Sequence, residues 1–206
     1  MSVNVLGISA SPRLNSNSDL LLCQALAGAE AAGAETEYIR LRDLKIAPCV
    51  ECNSCNKNGV CRIEDDYQML SSKMLEADRL IFATPIFFMA VCAQAKALID
   101  RCQCLWARKY VLKQPLQTAG RDRRAMVIAV GGTKSKKMFE SIRLTAEYFF
   151  DVLEMAYAAN LFVNKIDAPG QIKQHPTAMD EAFRLGRELV SSQTPTSEKP
   201  INVELS

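Results

Sequence analysis

Four cysteines fall within thirteen residues of the run PCVECNSCNKNGVC: Cys49, Cys52, Cys55 and Cys61. The spacing C-x2-C-x2-C-x5-C lets three thiolates curl around one small inorganic group, while the fourth closes from the far side of a turn at Gly59. Soft thiolate ligands suit iron and sulfide, so an iron–sulfur cluster is the first chemistry these residues suggest. Bacterial ferredoxins also open on C-x2-C-x2-C, but there the fourth cysteine serves another cluster. Here one run offers all four. Three other uses compete. Structural zinc more often takes two C-x2-C knuckles separated by a longer stretch, and this chain has no second knuckle. Disulfides need an oxidising compartment, and four unliganded thiols in an exposed loop are an oxidation hazard.

A second constellation is GISASPRLNSNSD, residues 7–19, where Ser9, Ser11, Asn15, Ser16, Asn17 and Ser18 crowd around Arg13. Hydroxyls, free backbone N–H groups and the positive end of a helix dipole make a phosphate cradle. The segment is neither G-x-G-x-x-G nor a Walker motif, so the usual dinucleotide and nucleoside-triphosphate signatures are missing. The plainer alternative is a polar turn with Asn17 or Ser18 as an N-cap. Asp19 fits that alternative and slightly opposes a phosphate. Further along, ATPIFFMAV is stiffened by Pro85, and its Phe87, Phe88 and Met89 need a covering surface. A flat aromatic ring system or a subunit interface would supply one. Gly131 and Gly132 either let backbone approach a ligand closely or simply make a turn.

Regular elements must position these residues. Apolar runs at 3–9, 37–41, 79–83, 124–130 and 159–163 read as strands. Helical spacing covers 18–32, 65–77, 91–106, 137–156 and 177–190. Strands alternating with helices imply parallel βαβ units in a three-layer α/β sandwich, with ligands at the carboxyl ends of the strands. The chain has 206 residues, 49% of them hydrophobic, which is enough for one well-buried core at 1–190 with the cysteine loop at 48–62. The tail at 191–206 is rich in Ser, Thr and Pro and is expected to lie loose. Net charge is only +2, which gives no mandate for nucleic acid. The apolar stretch 80–99 contains Pro85, Gln94 and Lys96, so a strand, loop and helix explain it better than a membrane span. The first residues do not read as a secretory signal, and with eight cysteines a reducing cytoplasm is expected.

Cradle, proline-containing apolar loop and Gly-Gly loop together resemble the flavodoxin-like NADPH-dependent FMN reductase superfamily. The compact cysteine run narrows this to its iron–sulfur flavoprotein family. SPRLNSNS at 11–18 is similar to that family's phosphate loop, and TPIFFMAVCAQAKALIDR at 84–101 to its flavin-ring loop and following helix. YFFDVLEM at 148–155 and the His-Pro start of the last helix also resemble it. The resemblance implies a five-stranded parallel sheet in the order 2-1-3-4-5, one FMN per subunit and a [4Fe–4S] cluster on Cys49, Cys52, Cys55 and Cys61. It also implies a homodimer or homotetramer. By position, the FMN phosphate is expected at Ser9, Ser11, Arg13, Asn17 and Ser18, and the ring at Pro85, Ile86, Phe87 and Phe88, with Gly131 and Gly132 at its polar edge. Two departures stand out: Ser16 replaces the usual glycine, and GGTKSKKMFE replaces a Gly/Arg-rich segment. Lys134, Lys136 and Lys137 in it either sit near the flavin or form a solvated charge run.

Such a protein is expected to pass single electrons from a ferredoxin-like donor to a small-molecule acceptor at the flavin, with no acid/base residue to nominate. A cluster-free NAD(P)H:quinone or flavin reductase and a zinc-bound interaction module are the alternatives. His175, the lone histidine, precedes Pro176 and reads as a surface or capping residue. Cys23, Cys92, Cys102 and Cys104 read as small buried apolar residues.

Overall fold

The computed structural model describes residues 2–114, 116, 120–191 and 199–206. In chain order the elements are β1 (Asn4–Ser9), α1 (Asn17–Ala31), β2 (Glu35–Arg40), α2 (Cys55–Asn58), α3 (Tyr67–Glu76), β3 (Arg79–Phe87) and β4 (Ala90–Val91). They continue as α4 (Ala93–Arg101), α5 (Gln103–Trp106), β5 (Arg124–Val130), α6 (Met138–Val152), β6 (Ala156–Val163), α7 (Ala178–Ser191) and β7 (Ile201–Leu205). The architecture is a flavodoxin-like three-layer α/β sandwich. Its sheet runs β2-β1-β3-β5-β6-β7, all neighbours parallel.

Period-two alternation divides each central strand between two cores. Leu6, Ile8, Leu80, Phe82, Val127 and Phe162 face α3, α4, α5 and α6. Val5, Ile81, Ala83, Met126, Ile128 and Leu161 face α1 and α7. The last two helices touch backbone to backbone. A Cβ on Gly28 would lie 2.0 Å from the Phe183 carbonyl oxygen, and one on Gly186 would lie 1.9 Å from that of Ala25.

The expected 2-1-3-4-5 order is present as β2-β1-β3-β5-β6, but the sheet has more than five strands. The tail does not lie loose throughout: Ile201–Leu205 pairs in parallel with β6 from Ala159↔Ile201 to Val163↔Leu205. Arg143 on α6 donates to Asn202 at 2.9 Å and also to Glu204, fixing the added strand. Residues 192–198 of that tail lie outside the described residues. The third strand also runs beyond residue 83, through Pro85 to Phe87. Beyond Ala83 it has left β1 behind and pairs only with β5, so the missing N–H of Pro85 costs no ladder bond on the β1 side. It then folds back on β4 through Phe88 and Met89, both left-handed at φ 48° and 62°. That is the signature of a type I′ turn, which ordinarily takes Asn and Gly. Cys92 closes this hairpin: its thiol donates to the Ala10 carbonyl at 3.0 Å. Cys92, Cys102 and Cys104 are buried as expected, whereas Cys23 is exposed.

Candidate functional site

Strand order reverses at β1, and the loops leaving the carboxyl ends of β1, β3, β5 and β6 converge there on a cavity of about 470 Å³. Ser11, Arg13, Asn17, Ser18, Pro85, Ile86, Phe87, Gly131 and Gly132 line it. Ser9 and Phe88, also expected there, are not among its walls. Ser9 is fully buried and donates its hydroxyl to Asp19, while Phe88, at the hairpin tip, is 104% exposed. The N-cap of α1 is Ser16 rather than Asn17 or Ser18. Its hydroxyl accepts from the Asp19 amide at 3.2 Å, and the Asp19 carboxylate accepts from the Ser16 amide in return. Asp19 is thereby committed to a capping box with Ser16 and to the Ser9 hydroxyl, so its carboxylate is not free to face the cavity. The Asn17 amide is committed as well, donating to Ala168 O at 3.0 Å and accepting from the Ile172 amide at 3.2 Å. What this loop and α1 offer the cavity is therefore the helix N-terminal end with Ser18, and ahead of it Ser11 and the Arg13 charge.

Gly131 and Gly132 sit at tight approaches. A Cβ on Gly131 would meet the Met138 sulfur at 2.7 Å, and one on Gly132 would lie 3.2 Å from Asp167. None of Lys134, Lys136 and Lys137 lines the cavity, and Lys136 lies 3.4 Å from Glu204 on β7.

A second cavity, about 450 Å³, is walled by Cys49, Cys52, Cys55 and Cys61 together with Arg101 and Cys104. Left-handed Glu51 and Asn53 turn the chain between successive cysteines, and left-handed Gly59 caps α2 before Cys61. Burial, followed by the charges of Cys61, Cys49 and Cys52, pushes the Cys55 thiol up. The other three sulfurs are thus in electrostatic reach of Cys55. The Ser54 amide and hydroxyl hold the Cys52 thiol below its usual range. Among the described residues no three His, Cys, Asp or Glu side chains converge as a cage for a single metal ion. The two cavities share no wall residue. α4 begins at the β3–β4 hairpin beside the first and ends at Arg101 in the second; its nine residues span about 13 Å.

The sequence matches the NADPH-dependent FMN reductase family over residues 3–164. An iron–sulfur flavoprotein of Methanocaldococcus jannaschii is 32% identical over 197 residues, covering 91% of this chain and 95% of that protein. This chain belongs to the iron–sulfur flavoprotein family. Another member of that family, from Methanosarcina thermophila, is 32% identical over 143 residues, 68% of this chain and 71% of the relative. The fold is shared with the NAD(P)H:quinone oxidoreductase from Methanothermobacter marburgensis, with a TM-score of 0.67 over 94% of this chain and 100% of that one, at 19% identity. Membership makes the chain a flavin-dependent oxidoreductase.

In this iron–sulfur flavoprotein several wall residues carry no motif of their own. Arg42 follows β2 and donates to Pro12 O at 3.0 Å, which brings a second cation to the first cavity. Ile166, Asp167 and Pro169 arrive from the loop after β6. Cys104 adds a fifth thiol to the cysteine cavity; burial pushes its pKa up, and it lies 3.2 Å from the Tyr67 hydroxyl. Only the strand–helix alternation could have pointed to the β6 loop, because every such loop opens on the same sheet edge. Cys102 and Cys104 both reach Tyr67 even though i and i+2 cannot share a helix face. Cys102 caps α4 and ends its register before α5 starts. His175 is a capping residue, its Nδ1 accepting from the amides of Thr177 and Ala178 at 3.3 and 3.2 Å.

Proposed function

We propose that the chain passes electrons between a [4Fe–4S] cluster on Cys49, Cys52, Cys55 and Cys61 and an FMN in the cavity at the ends of β1, β3, β5 and β6. The observation that carries this reading is the pair of separate cavities, one walled by four thiols and one opening on the N-terminus of α1. Four soft sulfur donors lining one cavity fit a multi-iron group. A cavity with one helix N-terminus, Ser11, Ser18 and Arg13 at one end fits a single terminal phosphate, and Pro85, Ile86, Phe87 and Val130 form an apolar wall suited to a flat ring.

When bound, a flavin supplies two-electron or one-electron exchange and a [4Fe–4S] cluster supplies one-electron exchange, so side by side they link one-electron and two-electron partners. The chain's own residues bind and shield these groups. Arg13 neutralises phosphate, Gly131 and Gly132 let backbone close on the ring, and the thiolates fix the iron. The donor in this reading is a ferredoxin-like protein or NAD(P)H, and the acceptor a small molecule at the flavin. Phe87, Phe88 and Met89, with Leu144 and Tyr148 on α6, are exposed apolar residues, which supports association of subunits into a dimer or tetramer.

Anaerobic purification with quantification of iron, sulfide and FMN tests the reading. About four irons, four sulfides and one FMN per chain are expected from the cluster type. Zinc in their place, or flavin without iron after anaerobic reconstitution, would overturn it.

A further inference from the structure

Arg101, the last residue of α4, is 1% exposed and lies against the neck of the cysteine loop. Its Nη1 donates to Ala47 O at 2.9 Å and to Asp65 Oδ2 at 2.6 Å, while Nη2 donates to Ile63 O at 2.9 Å. Ala47 precedes Cys49 by two positions and Ile63 follows Cys61 by two, so one guanidinium joins both sides of the neck. Asp65 completes the clamp by accepting the Ala47 amide at 2.9 Å. The guanidinium also lies 4.6 Å over the Tyr67 ring.

Its Nε–H is different: it is buried and has no partner. A buried donor without an acceptor is destabilising, and Arg101 is itself a wall of the cysteine cavity. Burial disfavours the charged guanidinium, but Asp65 and then Cys61, the latter through a side-chain hydrogen bond as well as charge, together outweigh it. An anionic group among four thiolates would be balanced by this buried cation at the base of their loop.

We propose that Arg101 is the positioning residue for the group held by the four cysteines: it closes the loop through Ala47 and Ile63, and it holds a fixed charge behind their cavity. This rests on the cluster reading above. A thiolate-ligated cluster is anionic, and each electron it takes from the donor adds one negative charge. A fixed cation therefore favours the reduced form and raises the potential, as hydrogen bonds to cluster sulfurs do. Removing the charge would also leave the Asp65 carboxylate unbalanced behind the cavity, which pushes the potential in the same direction, downward.

The full-length protein is compared with Arg101→Gln and Arg101→Lys, all prepared anaerobically. Iron release to a chelator and the midpoint potential are measured, and FMN content serves as the check on folding. Arg101→Gln should release iron about tenfold to a hundredfold faster, the usual effect of losing an outer-shell partner, and its potential should fall. Arg101→Lys keeps the charge but cannot span both carbonyls. It should release iron faster while its potential stays nearer the wild type, and it carries the test alone if the glutamine variant loses FMN. Faster release with an unchanged potential in Arg101→Gln would reduce the residue to a fold contact and overturn the proposal, as would wild-type behaviour in both variants. A wild type that takes up neither iron nor sulfide would overturn the cluster reading itself, a separate and recognisable failure.

Discussion

The two cavities have nearly the same volume, about 470 and 450 Å³, but are built by opposite means. The first cavity is made by topology. Its walls are the ends of parallel strands and the start of α1, and the ladders of the sheet hold them in register over the whole width of the domain. The cysteine cavity is made by a loop whose only regular element is the four-residue α2. Its path depends on left-handed Glu51, Asn53 and Gly59 and on a clamp of side chains at the neck. Non-glycine residues adopt that conformation only when the surroundings impose it. A site made from strand ends spreads its support over many backbone bonds. A site made from a loop concentrates its support in a few side chains, and single substitutions should reveal the difference.

The largest effect is expected at the cysteines. Cys55→Ala or Cys61→Ala should abolish or convert the cluster while leaving FMN stoichiometry intact, because the cavities share no wall. Iron and flavin content of the same preparation check this, and wild-type iron in Cys61→Ala would remove the fourth ligand. Next, Ser11→Ala combined with Arg13→Ala should weaken FMN about a hundredfold through lost charge-assisted hydrogen bonds, with iron content unchanged. Riboflavin, which lacks the phosphate, should be hardly affected; equal losses measured by fluorescence titration would contradict a phosphate role.

Gly186→Ala strikes the shared scaffold instead of either cavity. Its new methyl would collide with the Ala25 carbonyl, so α7 must shift away from α1 at about 1–3 kcal/mol, read from denaturant unfolding. Because α1 opens the cavity proposed for FMN, FMN affinity should fall in the folded variant while iron stoichiometry holds.

The smallest effect concerns acid. His175 caps α7 through a neutral ring, and burial holds its pKa below the usual 6.5. As pH falls the unfolded chain takes up that proton first, so this support is present above about pH 6.5 and fades below it. At Asp65 burial is outweighed by the hydrogen bonds from Arg101 and from the Ala47 and Tyr67 amides taken together, and the carboxyl sits below its usual 3.8. Its contribution is therefore intact above 3.8 and is lost only as pH falls through the lower folded value. Hydrogen exchange at pH 5 against pH 7.5, corrected for intrinsic rates, should show weakened protection in the first turn of α7 and an unchanged Ala47 amide. His175→Asn, which caps without titrating, should flatten the α7 response.

Much of the flavin side was legible in the sequence, because a strand that alternates between two cores announces itself. The run RAMVIAV, for instance, is β5 from end to end. β7 was obscured by its context: INVEL alternates apolar and polar residues, but it follows a Ser/Thr/Pro-rich segment that reads as loose chain. Ser9 reads as a cavity residue because hydroxyl chemistry is visible in a sequence while the direction of a side chain is not. Arg101 was the hardest to see. A basic residue at a helix C-terminus ordinarily faces solvent and complements the dipole. Only tertiary folding brings it 36 positions back along the chain to Asp65. The mutual contact of Gly28 and Gly186 with the opposite helix is equally silent, since neither glycine has a positive φ or stands at a turn.

α4 touches both halves of this chemistry, with Cys92 anchoring one end to the β1 loop and Arg101 terminating the other. A helix fixes angle as well as distance. One residue inserted between Ala93 and Arg101 would rotate everything beyond it by about 100° and advance it about 1.5 Å. The guanidinium would then sweep off the loop's neck while the hairpin end stayed in place. Side chains on the outer surface of this helix, such as Lys96 and Asp100, whose ion pair is solvent-exposed, can be exchanged without that consequence. The exposed positions between Cys92 and Arg101 are thus open to changes in spelling, whereas the segment as a whole is closed to changes in length.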